Sequence, residues 1–140
     1  MDQAALGSLL DRLISLPAET EWVEFKINNV DPEQIGEYCS ALSNSARLAD
    51  QSSGYLIFGV ENITHKPVGT KVTLRQLKVG NEEFQNWLAN RLRPSINIEF
   101  LTFSRDERNF LILKIHPAVG SPVQFSNIAY VRVGSAKRPL

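Results

Sequence analysis

Three groups of residues have the types and spacing to do chemistry. The first is acidic: Glu19, Glu21 and Glu24 stand beside Lys26, and Glu61 follows directly on the apolar run Tyr55–Val60. Strand alternation over Trp22–Lys26 puts Trp22, Glu24 and Lys26 on one side and Val23 and Phe25 on the other. Carboxylates from two strand ends beside a lysine suit phosphodiester cleavage that depends on a metal such as magnesium or manganese. The same spacing equally describes a solvated acidic face with a surface ion pair. The second group is basic and late: Arg105, Arg108, Lys114, Arg132, Lys137 and Arg138, with Phe125 and Tyr130 nearby. Alternation sets Tyr130, Arg132 and Gly134 on one strand face, where guanidinium forks and a ring would suit a polynucleotide. Lys26, Arg108, Lys114, Tyr130, Arg132, Lys137 and Arg138 are therefore the candidate nucleic-acid contacts. The plainer reading is a solvated strand face and a basic tail, with Lys114 marking a sheet edge. The third group, Ser53-Gly54 and Gly59, could offer amides to a phosphate. It lacks a P-loop lysine and dinucleotide-type glycine spacing, so Gly59 reads as relief of crowding.

Other chemistry has little to stand on. Cys39 is the only cysteine, so there is no intrachain disulfide and no thiolate cluster, and its place on a helical stripe makes it a small buried residue. His65 and His116 lie 51 positions apart with no second ligand at motif spacing. Asn44 reads as a local cap or hydrogen-bonding residue at a helix end. No cofactor is expected unless the carboxylates hold a metal.

The elements that must position these groups follow from periodicity. Leu6, Leu9, Leu10, Leu13 and Ile14 make a short amphipathic helix stopped by Pro17. Asp31-Pro32-Glu33 starts a helix running to about Leu48, with Ile35, Tyr38, Cys39, Leu42, Ala46 and Ala49 as its stripe and Ser40 pointing elsewhere. Tyr55–Val60 is a central strand covered on both faces. A short hairpin around Lys66-Pro67 and a short helical or irregular passage over 73–79 come next. Asn81-Glu82-Glu83 opens a helix with Phe84, Trp87, Leu88 and Leu92 inside, closed by Pro94. Two antiparallel hairpins end the chain, one turning at 105–109 and one at Ser126-Asn127. The expected fold is α/β (α+β-like): a mixed sheet of about five or six strands packed with two main helices, plus the short N-terminal helix. Residues 1–17 are read as that helix, 18–135 as one domain, and 136–140 as a basic tail at a junction with a further C-terminal region.

In that order, the phrases Ala18-Glu19-Thr20-Glu21-Trp22-Val23-Glu24-Phe25-Lys26, Ser40-Ala41-Leu42-Ser43-Asn44-Ser45, Gly54–Val60, Val68-Gly69 and Ala129-Tyr130-Val131-Arg132-Val133-Gly134-Ser135, spanning about residues 18–135, are shared with a known family. The chain resembles the Schlafen AlbA_2 domain, a DNA-binding module of bacterial regulators and helicase-like proteins. The resemblance implies a nucleic-acid-binding α/β domain, a two-fold homodimer, and a partner region of ATPase-like or winged-helix type. RNA-cleaving relatives use three acidic residues, two of them five apart. Glu19 and Glu24 match that pair, while the third falls at or beside Glu61, with Asn62 next to it. The chain also departs from the family by inserting Ala46–Ser52 where many relatives have a short glycine turn.

The 140 residues carry 15 bases and 15 acids, with 43% hydrophobic content, the make-up of one globular domain. No window of about eighteen uncharged apolar residues is present, and the chain reads as soluble and cytoplasmic. The neutral total hides a gradient: residues 1–40 hold eight acids and two bases, and residues 121–140 three bases and no acid. Three readings stand: a non-catalytic DNA- or RNA-binding domain of a regulator or helicase-like protein, a metal-dependent nuclease using Glu19, Glu24 and Glu61, and a regulatory or dimerisation module with no polynucleotide ligand.

Overall fold

The computed structural model describes residues 2–73 and 77–140. The run Gly54–Phe58 (β2) is buried at every position and lies between two neighbours, Val23–Lys26 (β1) in parallel and Arg108–Ile115 (β7) antiparallel. Ile98–Arg105 (β6) completes this mixed four-stranded sheet, in the order β1-β2-β7-β6. Both faces of β2 are covered, as its unbroken hydrophobicity requires. Tyr55 and Ile57 meet Leu6, Leu9, Leu10 and Leu13 of helix α1 (Gln3–Ile14), whereas Leu56 and Phe58 meet Ile35, Cys39 and Leu42 of helix α2 (Pro32–Leu48). Asp31 caps α2 through the Glu33 amide at 3.0 Å, with Pro32 in its first turn, as the sequence predicts. Asp2 caps α1 through Ala5 at 2.8 Å.

Against the other side of α2 lies a second sheet, order β10-β9-β8-β5, made of Ala136–Pro139 (β10), Ile128–Val133 (β9), Gln124–Phe125 (β8) and Leu92–Arg93 (β5). The layers therefore run α1, first sheet, α2, second sheet. Gly36 makes the last contact close: a Cβ there would lie 2.1 Å from the Phe125 ring. Gly59, at φ +117°, ends the central strand where a Cβ would meet Phe110 at 2.6 Å, which bears out its reading as relief of crowding.

The α+β architecture agrees with expectation, but the single sheet of five or six strands does not. Among the described residues there are ten strands in three sheets and three helices. The six expected strands are β1, β2, β6, β7, β8 and β9. The other four are β5, Lys78–Val79 (β3), Glu82–Glu83 (β4) and β10, and a two-residue pairing such as β3 with β4 is too short to show a period in sequence. The helix expected from Asn81 to Leu92 shrinks to α3 (Phe84–Ala89). Leu92 is buried as expected, but from β5, where it pairs with Phe125. Residues 136–139 are a strand rather than an unpatterned tail, because antiparallel pairing with β9 needs backbone groups and no hydrophobic alternation. Around Lys66-Pro67 a single bridge joins Val60 and Pro67. Of the passage at 73–79, residues 74–76 lie outside the described residues.

Candidate functional site

The parallel pairing of Glu24 with Leu56 and Lys26 with Phe58 points both charged side chains toward α2, not toward solvent. There Glu24 is 4% exposed. Arg132, from β9, enters the same space and is 3% exposed. Its Nη1 lies 3.3 Å from Glu24 Oε1, while Lys26 Nζ lies 3.4 Å from Glu24 Oε2. The Arg132 guanidinium also donates to the carbonyls of Val23 and, through Nε at 3.2 Å, Gly134. Glu24 is thus a buried anion held by two cations, the arrangement that tolerates burial of charge.

Around this pair the charges continue outward. Lys26 and Lys137 Nζ stand over the Tyr38 ring at 4.9 and 4.3 Å, and Lys137 also pairs with Glu37 at 2.9 Å. Burial, followed by the negative charge of Glu24, pushes the Tyr38 hydroxyl above its usual range. Tyr130 donates to Glu37 at 3.3 Å, and burial and then Glu37 raise its hydroxyl as well. Four elements, β1, α2, β9 and β10, are clamped by one alternating charge network.

The backbone of β9 is held by α2 side chains. Ser40 donates to the Val123 carbonyl at 2.7 Å and accepts from the Tyr130 amide at 2.9 Å. Asn44 donates to the Val123 and Tyr130 carbonyls at 3.0 and 2.8 Å and accepts from the Val123 amide at 2.8 Å. Ser45 accepts from the Arg132 amide at 3.0 Å. Ser40 is fully buried instead of pointing elsewhere, and Asn44 is a long-range tether instead of a local cap. These polar groups were missed as fold determinants. Their signal was the eight-residue stretch Cys39–Ala46, which carries no long charged side chain and so can be covered on every side.

The expected carboxylate trio is not assembled. Glu19, Glu24, Asn62 and Arg132 line one cavity of about 220 Å³ beneath the C-terminal end of α1, and Glu61 is not among its lining residues. Glu61 Oε2 instead accepts from the amides of Ile63 and Thr64 at 2.9 and 2.5 Å and from the Thr64 hydroxyl at 2.7 Å. The Thr64 amide and hydroxyl hold its carboxyl below the usual range. Among the described residues no three of His, Cys, Asp and Glu come together in a way that could hold a metal ion. With Arg132 against Glu24 and Glu61 closing its own turn, the donor set does not fit magnesium or manganese.

The candidate nucleic-acid contacts are also sorted by the fold. Lys26, Tyr130, Arg132 and Lys137 face inward in the network. Lys114 lies on the first sheet, 3.7 Å from Glu99, and Arg108, at the β6–β7 turn, donates to the Pro67 carbonyl at 3.0 Å. Arg138 is exposed, on the opposite face of β10 from Lys137. The shared face of Tyr130 and Arg132 follows the predicted alternation, but it is the face against α2.

The sequence profile of the family described as Schlafen, AlbA_2 matches residues 19–140. The chain belongs to the Schlafen AlbA_2 family. This AlbA_2 domain has the fold of two solved structures of low identity. The DIP2311 protein from Corynebacterium diphtheriae is 16% identical with a TM-score of 0.57, the match covering 98% of this chain and 26% of that one. The N-terminal domain of a protein from Nitrosomonas europaea described as related to the ATP-dependent DNA helicase RecG is 22% identical with a TM-score of 0.52, covering 99% of this chain and 93% of that one. The AlbA_2 domain thus spans about a quarter of the DIP2311 chain. No curated protein sequence matches it. Among the described residues no helix is long and apolar enough to cross a membrane.

Proposed function

We propose that this AlbA_2 domain is a non-catalytic nucleic-acid-binding module of a regulatory or helicase-like protein of the cytoplasm. The observation that carries the reading is the state of Glu24. The carboxylate best placed to serve a nuclease is buried between Arg132 and Lys26, where its pairing with Arg132 holds β9. A domain that spends its central acid on locking a basic strand in place holds its outward charges in a fixed pattern. In this reading Arg138 reaches phosphate directly from the second sheet, while Arg108 and Lys114, on the first sheet, stand apart from it. Lys26, Tyr130, Arg132 and Lys137 act by holding the surface that carries the contacts. The helicase-related description of the Nitrosomonas europaea structure supports a role joined to an ATPase-like or winged-helix region, and the domain is taken to work as a homodimer.

The test is a salt titration of binding to duplex and single-stranded DNA and RNA, with cleavage followed in the presence of manganese. Binding that weakens steeply with salt and uncut substrate are expected. No binding at low salt overturns the proposal. Cleavage that disappears in the Glu19→Ala, Glu24→Ala double variant overturns its non-catalytic part.

A further inference from the structure

Among the described residues nothing buries the outer face of the second sheet, and its residues follow from the register. Arg93 pairs with Gln124, Gln124 with Ala129, and Ala129 accepts a hydrogen bond from the Leu140 amide. Arg138 pairs with Val131 in the next row. Partners directly opposite share a face, and this face is the one turned away from α2, since Phe125, Arg132 and Lys137 occupy the other. None of these six residues is buried.

The face is electrostatically one-sided. Among the described residues neither Arg93 nor Arg138 has a carboxylate within ion-pair distance, in contrast to Lys26, Arg105, Lys114, Arg132 and Lys137. Arg47, also without an acidic partner, lines one cavity with Leu140 at the margin of the face. Acids border the face at both ends: by the β9–β10 turn Glu21 accepts from the Gly134 amide at 2.9 Å with Glu19 alongside, and by the end of α3 Glu82 accepts from Asn90 at 3.5 Å. No acidic side chain stands among the rows themselves.

We infer that this face, with Arg93 and Arg138 as its phosphate contacts and Arg47 at its margin, is the surface on which the domain docks the backbone of duplex DNA. The inference rests on the nucleic-acid reading above and specifies its surface and its ligand. A second copy is disfavoured, because a two-fold contact through this face would set arginines against arginines. A single strand is disfavoured because the face carries no aromatic ring for base stacking: Phe125 and Tyr130 both point to α2. Three strand spacings and two residues of rise put Arg93 and Arg138 about 16 Å apart at the backbone. The Arg93 guanidinium leans on the end of α3, where Nη1 donates to the Leu92 and Ala89 carbonyls at 3.0 and 3.4 Å, and with its remaining donors it and Arg138 meet the two backbones bordering a B-form major groove about 12 Å wide. A-form RNA, with its deep and narrow major groove, offers no such pair of rails.

The experiment measures duplex DNA binding as a function of salt for the full chain and for the Arg93→Ala/Arg138→Ala variant. Arg12→Ala, on the exposed side of α1, removes the same charge far from the face. Arg93→Lys/Arg138→Lys keeps the charge, and thermal melting checks that all variants are folded. The expected result is a log–log salt slope lower by about 2 in the double alanine variant, one phosphate per arginine. Arg12→Ala and the lysine variant should keep the parental slope. Parental binding with an unchanged slope in the double alanine variant overturns this surface and leaves the nucleic-acid reading standing, whereas no binding by the parent overturns that reading itself. Tighter binding of single strands or duplex RNA than of duplex DNA overturns the ligand. A dimer lost in the double alanine variant, with DNA binding intact, assigns the face to a second copy and overturns the inference.

Discussion

Replacing Arg132 with methionine tests whether the clamp around Glu24 holds β9 to the body of the domain. The change keeps an unbranched apolar stem and removes the guanidinium that pairs with Glu24 at 3.3 Å and donates to the Val23 and Gly134 carbonyls. Breaking a buried pair by deleting one partner costs about 3–5 kcal/mol, because the remaining charge stays buried. Here Lys26 stays within 3.4 Å of the other carboxylate oxygen, and its side chain is 24% exposed, so Glu24 retains one partially screened cation. The expected loss is therefore at the lower end, about 3 kcal/mol, or about 10 °C in melting temperature for a domain of this size. Urea unfolding of Arg132→Met, Glu24→Gln and the double variant closes the cycle. The double variant should be more stable than the sum of the single losses predicts by at least about 1 kcal/mol, since it leaves neither charge unpaired. A loss below about 0.5 kcal/mol in Arg132→Met, or strict additivity, would refute the clamp.

Three further outcomes follow from the same packing. Asn44→Ala removes three buried hydrogen bonds to Val123 and Tyr130 and should cost about 3 kcal/mol in urea unfolding; a loss under about 1 kcal/mol would show that β9 is held without it. Gly36→Ala drives a methyl group into the Phe125 ring and should cost about 1–3 kcal/mol, with part recovered in Gly36→Ala/Phe125→Leu; equal losses in both variants would place the strain elsewhere. Burial pushes the Cys39 thiol up to about 12, so the unfolded chain gives up this proton first. The contribution is complete below about pH 8.5 and drains away as pH rises toward 12, and Cys39→Ala should lessen the alkaline loss of stability. The native thiol should also resist alkylation until the chain unfolds; rapid alkylation under native conditions would contradict its burial.

The parts of this fold legible in the sequence are those whose causes are local. An unbroken apolar run has to be a covered central strand, and Asp31-Pro32 has to begin a helix, so β2 and α2 lie where the residues place them. The alternation on β1 and β9 likewise assigned Glu24 and Arg132 to the correct strand faces. What alternation cannot say is what lies opposite a face. Glu24 and Arg132 point at α2 because the second sheet folds back over that helix. The bonds that bring it there join Asn44 to Val123 and Tyr130, 79 and 86 residues along the chain. Most of the candidate contacts therefore face inward, Arg138 being an exception, while Arg93 on the outer face is hidden by two short strands, β5 and β8, whose pairing has no sequence period.

The neutral total of the chain is divided by this sorting into paired and unpaired charges. Of the five ion pairs among the described residues, four use a carboxylate from the first forty residues: Asp11 with Arg105, Glu24 with Lys26 and with Arg132, and Glu37 with Lys137. The acidic start of the chain thus neutralises the inward half of the basic end, and strand alternation leaves the other half outside. Lys137 and Arg138 are adjacent in sequence and opposite in fate, one over the Tyr38 ring beside Glu37 and one exposed without an acid. A slip of one residue in the β9–β10 register would exchange them, placing the arginine in the network and the lysine outside. The cation–ring contact and the Glu37 pair thus select the register, and with it the charge pattern of the outer face. The network that keeps Glu24 from metal chemistry is in this way what sets the face offered to a polyanion.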